Sequence, residues 1–482
     1  MISVRNHLLQ LNGNRLIPLF LVLIVLLGAS CNAFKPITPG KPDYGQNDNN
    51  PDSGSNQPDL DPTDVTQPPG KVDTVTWEVE DPLKPPPNIA LKDPTTGVVS
   101  IPMEKVTKSS YNMVVMLPFF INRVTPMGDT PEESQLALEF YEGVKLALDQ
   151  LENEGVKLNI NVLDTQADTN VVKILLSRSE VNNADIILGP ITRDNNRIVA
   201  RFARETGIVV VSPLNTRTDI VEQNPFYIQA NPSSKTIFTQ LLRYVNERHN
   251  GLQQVIVIAP EGRTGDLRVG YLEEANRLIS RLPNPPELNT IRFKLEEGAV
   301  LDLTETLQTL DSNVVIIPSR DQGFVGFVMR ELSLLREKHP TIVYGMSRWQ
   351  EFERIDFNYF QNLSVHLPSS GFASPNNNMV VDFKRNYLNK VGILPTTYAY
   401  KGYDTCLYFG RMLRDYGVYF QGFFDEADAL FMHSGFSFKP IYQNPGIPVE
   451  GEAVISQYEN QLIDIIEFDD FKYRRVGRQK GN

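Results

Sequence analysis

ADIILGPITRDNN, residues 184–196, sets the frame for the whole chain. Its apolar run, Ile186-Ile187-Leu188, stops at Gly189-Pro190, and a polar run leads into Ile198-Val199-Ala200-Arg201-Phe202. A short apolar run ended by Gly-Pro reads as a buried strand, and the spacing beyond it reads as a helix. A strand that delivers its chain to a helix start through a tight polar turn is the repeating step of a parallel sheet. Thr192 has two readings in that turn. It caps the helix that opens near Arg193, or it presents its hydroxyl to a ligand beside the exposed N–H groups of the helix start.

The same grammar extends in both directions. Strands are expected at 113–117, 158–163, 186–188 and 208–211, with helices at 136–151, 171–176 and 198–203. It then recurs: strands at 254–259, 288–293, 314–317 and 341–344, and helices at 267–282, 301–310 and 324–335. Apolar strands separated by helices imply a parallel sheet covered on both faces, the doubly wound α/β pattern. Two such units of similar size predict two lobes with a boundary near Asn231-Pro232-Ser233-Ser234. Further on come helices at 380–388 and 397–413, then strand-like pieces at 436–440, 453–458 and 462–468. Gln457 to Gln461 reads as a hairpin turn between the last two. The expected organisation is lobe 1 from 109–232 and 367–418, lobe 2 from 233–366 and 419–470, and a basic tail at 471–482.

The first 30 residues read as a lipoprotein signal peptide. Arg5 and Arg15 precede an apolar run over 16–27, which ends in Gly28-Ala29-Ser30-Cys31. A run of about twelve apolar residues suits a signal segment, whereas a spanning helix needs about twenty. Small residues before Cys31 resemble a lipobox, which implies lipidation of Cys31. With Cys31 so used, Cys406 is the remaining cysteine of two, and it sits in an apolar helical pattern as a small core residue. Residues 31–108 are crowded with Pro, Asp and Asn, a composition that cannot bury enough apolar surface to order itself, and they read as a tether. The net charge of −12 argues against a nucleic-acid partner, which requires a basic face.

Several phrases then resemble a known family, the type I periplasmic binding proteins, as in branched-chain amino-acid receptors. They are Tyr141-Glu142-Gly143 with Asn153-Glu154-Gly155, Asp164-Thr165-Gln166-Ala167-Asp168, Ile187-Leu188-Gly189-Pro190, Val211-Ser212-Pro213-Leu214-Asn215-Thr216 and Tyr344-Gly345-Met346-Ser347. Tyr398-Ala399-Tyr400 with Gly402-Tyr403-Asp404 completes the set. The resemblance spans about 111–468. It implies two doubly wound lobes joined by a hinge and a ligand cleft between them. The tethered layout is also similar to lipoproteins of this fold that activate cell-wall synthases, such as the outer-membrane lipoprotein activator of penicillin-binding protein.

Ligands of open parallel sheets bind beyond the carboxyl ends of the strands. The resemblance therefore implies that Thr192, Arg193, Asn215 and Thr216 grip a carboxylate or amine from lobe 1. Phe119 or Phe120 faces the cleft or belongs to the core, since neighbours on a strand point opposite ways. Arg263, Arg320 and Arg348 each follow a lobe-2 strand. They are either solvated surface residues or a basic cleft wall that selects an acidic ligand. An amino-acid receptor also needs an acidic partner for the α-amino group, for which Asp321 and Glu351 are candidates.

No catalytic, metal or cofactor motif emerges. The five histidines are scattered, and neither a nucleophile elbow nor a phosphate-binding lysine loop is present. The expectation is a non-enzymatic, lipid-anchored, periplasm-facing protein that binds a small polar or acidic ligand and works with a membrane permease. The rival expectation is a non-catalytic regulator of peptidoglycan synthesis whose partner is a cell-wall synthase.

Overall fold

The computed structural model describes residues 101–481 apart from 218–219, 221–222, 250–253, 282–284, 310–311 and 443–453. The signal segment, Cys31 and nearly all of the tether lie outside the described residues.

Lobe 1 begins with β1 (Tyr111–Leu117), α1 (Gln135–Asn153), β2 (Leu158–Asp164), α2 (Thr169–Leu175), β3 (Ile186–Leu188), α3 (Arg193–Thr206), β4 (Val209–Ser212) and β5 (Tyr227–Gln229). Lobe 2 repeats the scheme. Its elements are α4 (Ser234–Arg248), β6 (Gln254–Pro260), α5 (Arg263–Ile279), β7 (Glu287–Phe293), β8 (Asn313–Ile316), α6 (Gln322–Leu335), β9 (Thr341–Tyr344), α7 (Phe357–Asn362) and β10 (His366–Ser369). The chain returns through α8 (Asn378–Val391) and α9 (Thr397–Tyr416), and α9 packs on α1 of lobe 1. The parallel orders are β2-β1-β3-β4-β5 and β7-β6-β8-β9-β10. Central strands are buried on both faces and read as unbroken apolar runs, such as Val255-Ile256-Val257-Ile258. The outermost parallel strands β2 and β7 alternate instead, because helices cover them less completely.

The C-terminal segment does not form a lobe-2 block followed by a tail. After a two-stranded ribbon of β11 (Ala429–Leu430) and β12 (Gly435–Phe436), β13 (Phe438–Tyr442) and β14 (Ile455–Asn460) extend the lobe-1 sheet, with β14 parallel to β5. Then β15 (Ile463–Asp469) pairs antiparallel with β10 in the lobe-2 sheet, and β16 (Lys472–Gln479) forms its edge. Residues 457–461 are therefore a crossover between lobes and not a hairpin. Asn460 explains this: its Oδ1 accepts from Ser437 N and Leu462 N, and its Nδ2 donates to Ala230 O and Gly435 O. The basic tail is a strand because Arg475 and Arg478 face Asp464, buried in β15, at 2.9 and 2.8 Å. Likewise the helix expected at 301–310 is a run of turns, whose Leu301, Leu303 and Leu307 plug the core at irregular spacing.

The α1–α9 contact holds lobe 1 together. Arg411 grips Glu154 with two hydrogen bonds (2.6 and 3.0 Å), and Arg414 adds a third at 2.9 Å. The Arg411 hydrogen bond is the main force that brings the Glu154 carboxyl down to about 2. A depressed acid stabilises the fold above its unfolded value, near 4.5, and loses that effect as pH falls toward 2. Both arginines are more than a third exposed (37% and 38%), so water screens part of the effect. Glu154→Gln is expected to cost about 1–2 kcal/mol at pH 7. It should also flatten the decline in stability between pH 5 and 3, which urea unfolding across that range measures.

Candidate functional site

Three passages link the lobes: 230–234 after β5, 370–373 after β10, and 460–462 between β14 and β15. Buried polar groups fasten them. Glu459 accepts from Ser233 N at 2.8 Å and Thr236 Oγ1 at 2.5 Å. Lys401, in the second turn of α9, donates to Asn231 Oδ1 at 2.9 Å and Ser370 Oγ at 3.0 Å, and so joins the first two passages. Asp404, one turn further and fully buried, accepts from His433 N and Ser434 N and fixes the ribbon that leads to β13. Burial lifts its carboxyl to about 7.

Between the lobes, against these passages, lies a cavity of about 640 Å³. Lobe 2 contributes Arg320 after β8 and Arg348 and Glu351 from a 3₁₀ turn (Ser347–Glu351) after β9. Lobe 1 contributes Thr397, Tyr398, Tyr400 and Lys401 from the start of α9, the 370–373 passage adds Ser370, and the ribbon before β13 adds His433. Tyr400 is buried, its hydroxyl is unpartnered among the described residues, and its ring stacks on His433 at 5.8 Å. Burial raises the Tyr400 phenol to about 12 and lowers Lys401 to about 8 and His433 to about 3. Near neutral pH the phenol is a hydrogen-bond donor, Lys401 is a cation and the imidazole is neutral. The volume suits a small molecule.

The residues expected at the site divide in two. Arg320 and Arg348 line the cavity, as does Glu351, 4.0 Å from Arg348. The others do not reach it. Phe119 is buried in the lobe-1 core, edge-on to Tyr141 at 5.6 Å, a correction to its cleft-wall reading. Asn215 is also turned inward. Its amide donates to Arg217 O, Tyr227 OH and Gln229 Oε1, and its Oδ1 accepts from Arg217 N. Thr216 is half-buried, and its carbonyl accepts from Ser234 N. Arg263 is exposed at the start of α5, and Asp321 is spent on capping α6 through Phe324 N at 2.7 Å.

Thr192 occupies the N-cap position of α3 ahead of the exposed Arg193, yet its side chain makes no cap bond. Its Oγ1 and both polar atoms of the buried Asn195 lack partners among the described residues. The preceding turn is tight, because a Cβ on Gly189 (φ +107°) would stand 2.1 Å from Met116 O. The turn is thus a close-packed connection in which Asn195 and the Thr192 hydroxyl face inward while Arg193 and Asp194 are exposed.

Tyr400 and Lys401 are the residues that sequence reasoning missed. Both lie in the phrase Tyr398 to Asp404, where a lysine interrupts an apolar helical face. A cation at such a position is uncommon unless it has work to do, and that was the available signal.

No protein-family model and no curated protein matches the chain. Solved structures do. A protein of Rhodospirillum rubrum provisionally assigned as a branched-chain amino acid ABC transporter superposes with a TM-score of 0.55 at 14% identity, covering 76% of this chain and all of that one. An ABC transporter substrate-binding protein of Desulfitobacterium hafniense gives 0.50 at 14% identity, with the same shares covered. The chain has the type I periplasmic binding protein fold.

Proposed function

We propose that the protein is a lipid-anchored, extracytoplasmic solute-binding protein that closes its two lobes on a small polar ligand, an amino acid or related carboxylate. It hands that ligand to the permease of an ABC transporter. One observation carries this reading: the cavity sits where both lobes and their connecting passages meet, so a ligand there bridges the parts that a hinge moves. The chemistry asked of the site is grip and orientation, and Arg320, Arg348, Tyr400 and Lys401 supply the donors.

Thermal unfolding of the body, residues 101–482, against amino acids, dicarboxylates and muropeptides tests it. A ligand at a hundred times its dissociation constant stabilises by about 2.7 kcal/mol, a clear rise in midpoint. A flat response across the panel, with nothing released on denaturation, sinks the receptor reading.

The inward engagement of Asn215 and Phe119 favours a second reading, a non-catalytic regulator of cell-wall synthesis that works through surface contact. That reading expects the flat response together with binding to a cell-wall synthase.

A further inference from the structure

The cavity's lining says what kind of solute fits. Among its described lining residues there is no leucine, isoleucine, valine or methionine. A branched aliphatic side chain would meet only Phe372, Ala373 and the tyrosine rings as apolar surface, and burial of such a chain is the main source of its affinity. The polar lining divides into two cationic ends. At one end stands Lys401, held by two neutral oxygens and in no ion pair among the described residues. Tyr400, its neighbour in the chain, also lines the cavity, and its buried hydroxyl has no partner among the described residues. Leaving such a donor unmade is costly, and an acceptor on a bound molecule removes the cost. At the other end, on lobe 2, stand Arg320 and Arg348, whose planar forks suit a carboxylate. Glu351 offsets one of these positive charges, so the cavity keeps a net positive balance.

We propose that this cavity takes a small dicarboxylic acid, one acidic group held by Lys401 and Tyr400 from lobe 1 and the other by Arg320 and Arg348 from lobe 2. The assignment rests on the solute-binding reading and narrows it. A molecule with acid at both ends links the lobes, so closure brings cation to anion at each end. A compact anion such as phosphate satisfies one end only. An acidic amino acid fits most fully, because Glu351 offers an acceptor for its ammonium group.

The test is calorimetric titration of the purified full-length chain in detergent with L-glutamate, succinate, inorganic phosphate and L-leucine. L-Glutamate or succinate is expected to bind at least tenfold more tightly than phosphate or L-leucine. Lys401→Met should weaken that binding at least tenfold, and Tyr400→Phe, which keeps the ring stacked on His433, at least threefold. Should Lys401→Met fold poorly, the exposed pair Arg320→Gln/Arg348→Gln carries the same expectation, at least tenfold. Arg385→Gln, an exposed charge change on α8, should leave affinity unchanged. Tight L-leucine or phosphate binding without dicarboxylate binding overturns the assignment while solute binding stands. So does dicarboxylate binding that all of these variants leave within twofold. Binding of none of the four probes overturns the assignment, and solute binding falls with it only if the wider thermal panel is also flat.

Discussion

Trp349→Ala is expected to lower the stability of the body by about 4 kcal/mol, the largest loss foreseen for one side chain. Trp349 is fully buried in the lobe-2 core, with Phe352 and Phe360 rings at 6.3 and 5.9 Å. Gly345 leaves it room, since a Cβ there would come within 2.4 Å of the indole. The indole N–H donates to Ser319 O at 2.8 Å. That bond ties the turn after β8, which carries Arg320, to the turn after β9, which carries Arg348. Trp349→Phe keeps most of the packing but drops the tether. It should cost about 1–2 kcal/mol and weaken ligand binding severalfold, because both arginines lose a fixed position. Urea unfolding and ligand titration read the two effects. An alanine variant within 1 kcal/mol of wild type would refute this account of the core.

Gly402→Ala is expected to cost about 3 kcal/mol or more, although it adds one methyl group. A Cβ on Gly402 would meet Phe140 O at 2.0 Å, and on the facing helix a Cβ on Gly143 would meet Ala399 O at 2.0 Å. The two glycines let α1 and α9 touch backbone to backbone. Carbonyl oxygens cannot swing aside as side chains do, so the helices must part, and the rupture reaches Lys401 next door. Gly143→Ala should behave alike. A midpoint for either within two degrees of wild type would show that the helices yield cheaply.

The doubly wound pattern was legible because central parallel strands are buried on both faces, so Met113 to Leu117 and Val255 to Ile258 announce themselves by composition. The short strands β5 and β10 escaped notice: Tyr227-Ile228-Gln229 is three residues long, and His366 and Pro368 interrupt the second. The fate of 457–461 turned on long-range partners. Asn460 bonds to Ala230, 230 residues away in sequence, and no local spacing reveals that. The site was half legible. Arg320 and Arg348, singled out by strand-end position, line the cavity. The same criterion turned Asn215 toward the cleft and left Phe119 open between cleft and core, since side-chain direction depends on which neighbours offer a better partner, here Tyr227, Gln229 and Tyr141. Lys401 and Tyr400 lie on a helix that the chain reaches only after visiting the other lobe. Their approach to Arg320 is a product of the hinge.

Closure itself is the central claim, and a distance across the cleft tests it most directly. Met127 and Glu296 are exposed in the loops beyond β1 and β7, on the carboxyl-end side of each sheet. Nitroxides on Met127→Cys and Glu296→Cys report the gap between the lobes. Within residues 101–482 the one native thiol, Cys406, is fully buried and raised to about 12 by burial, so it stays unlabelled. Pulsed spin-resonance distances are recorded before and after L-glutamate, succinate and the other members of the thermal panel. The account predicts that a member which raises the midpoint also shortens and narrows the distance distribution. A stabilising ligand that leaves the distribution unchanged would contradict closure, and distances indifferent to every member would leave a rigid scaffold in its place.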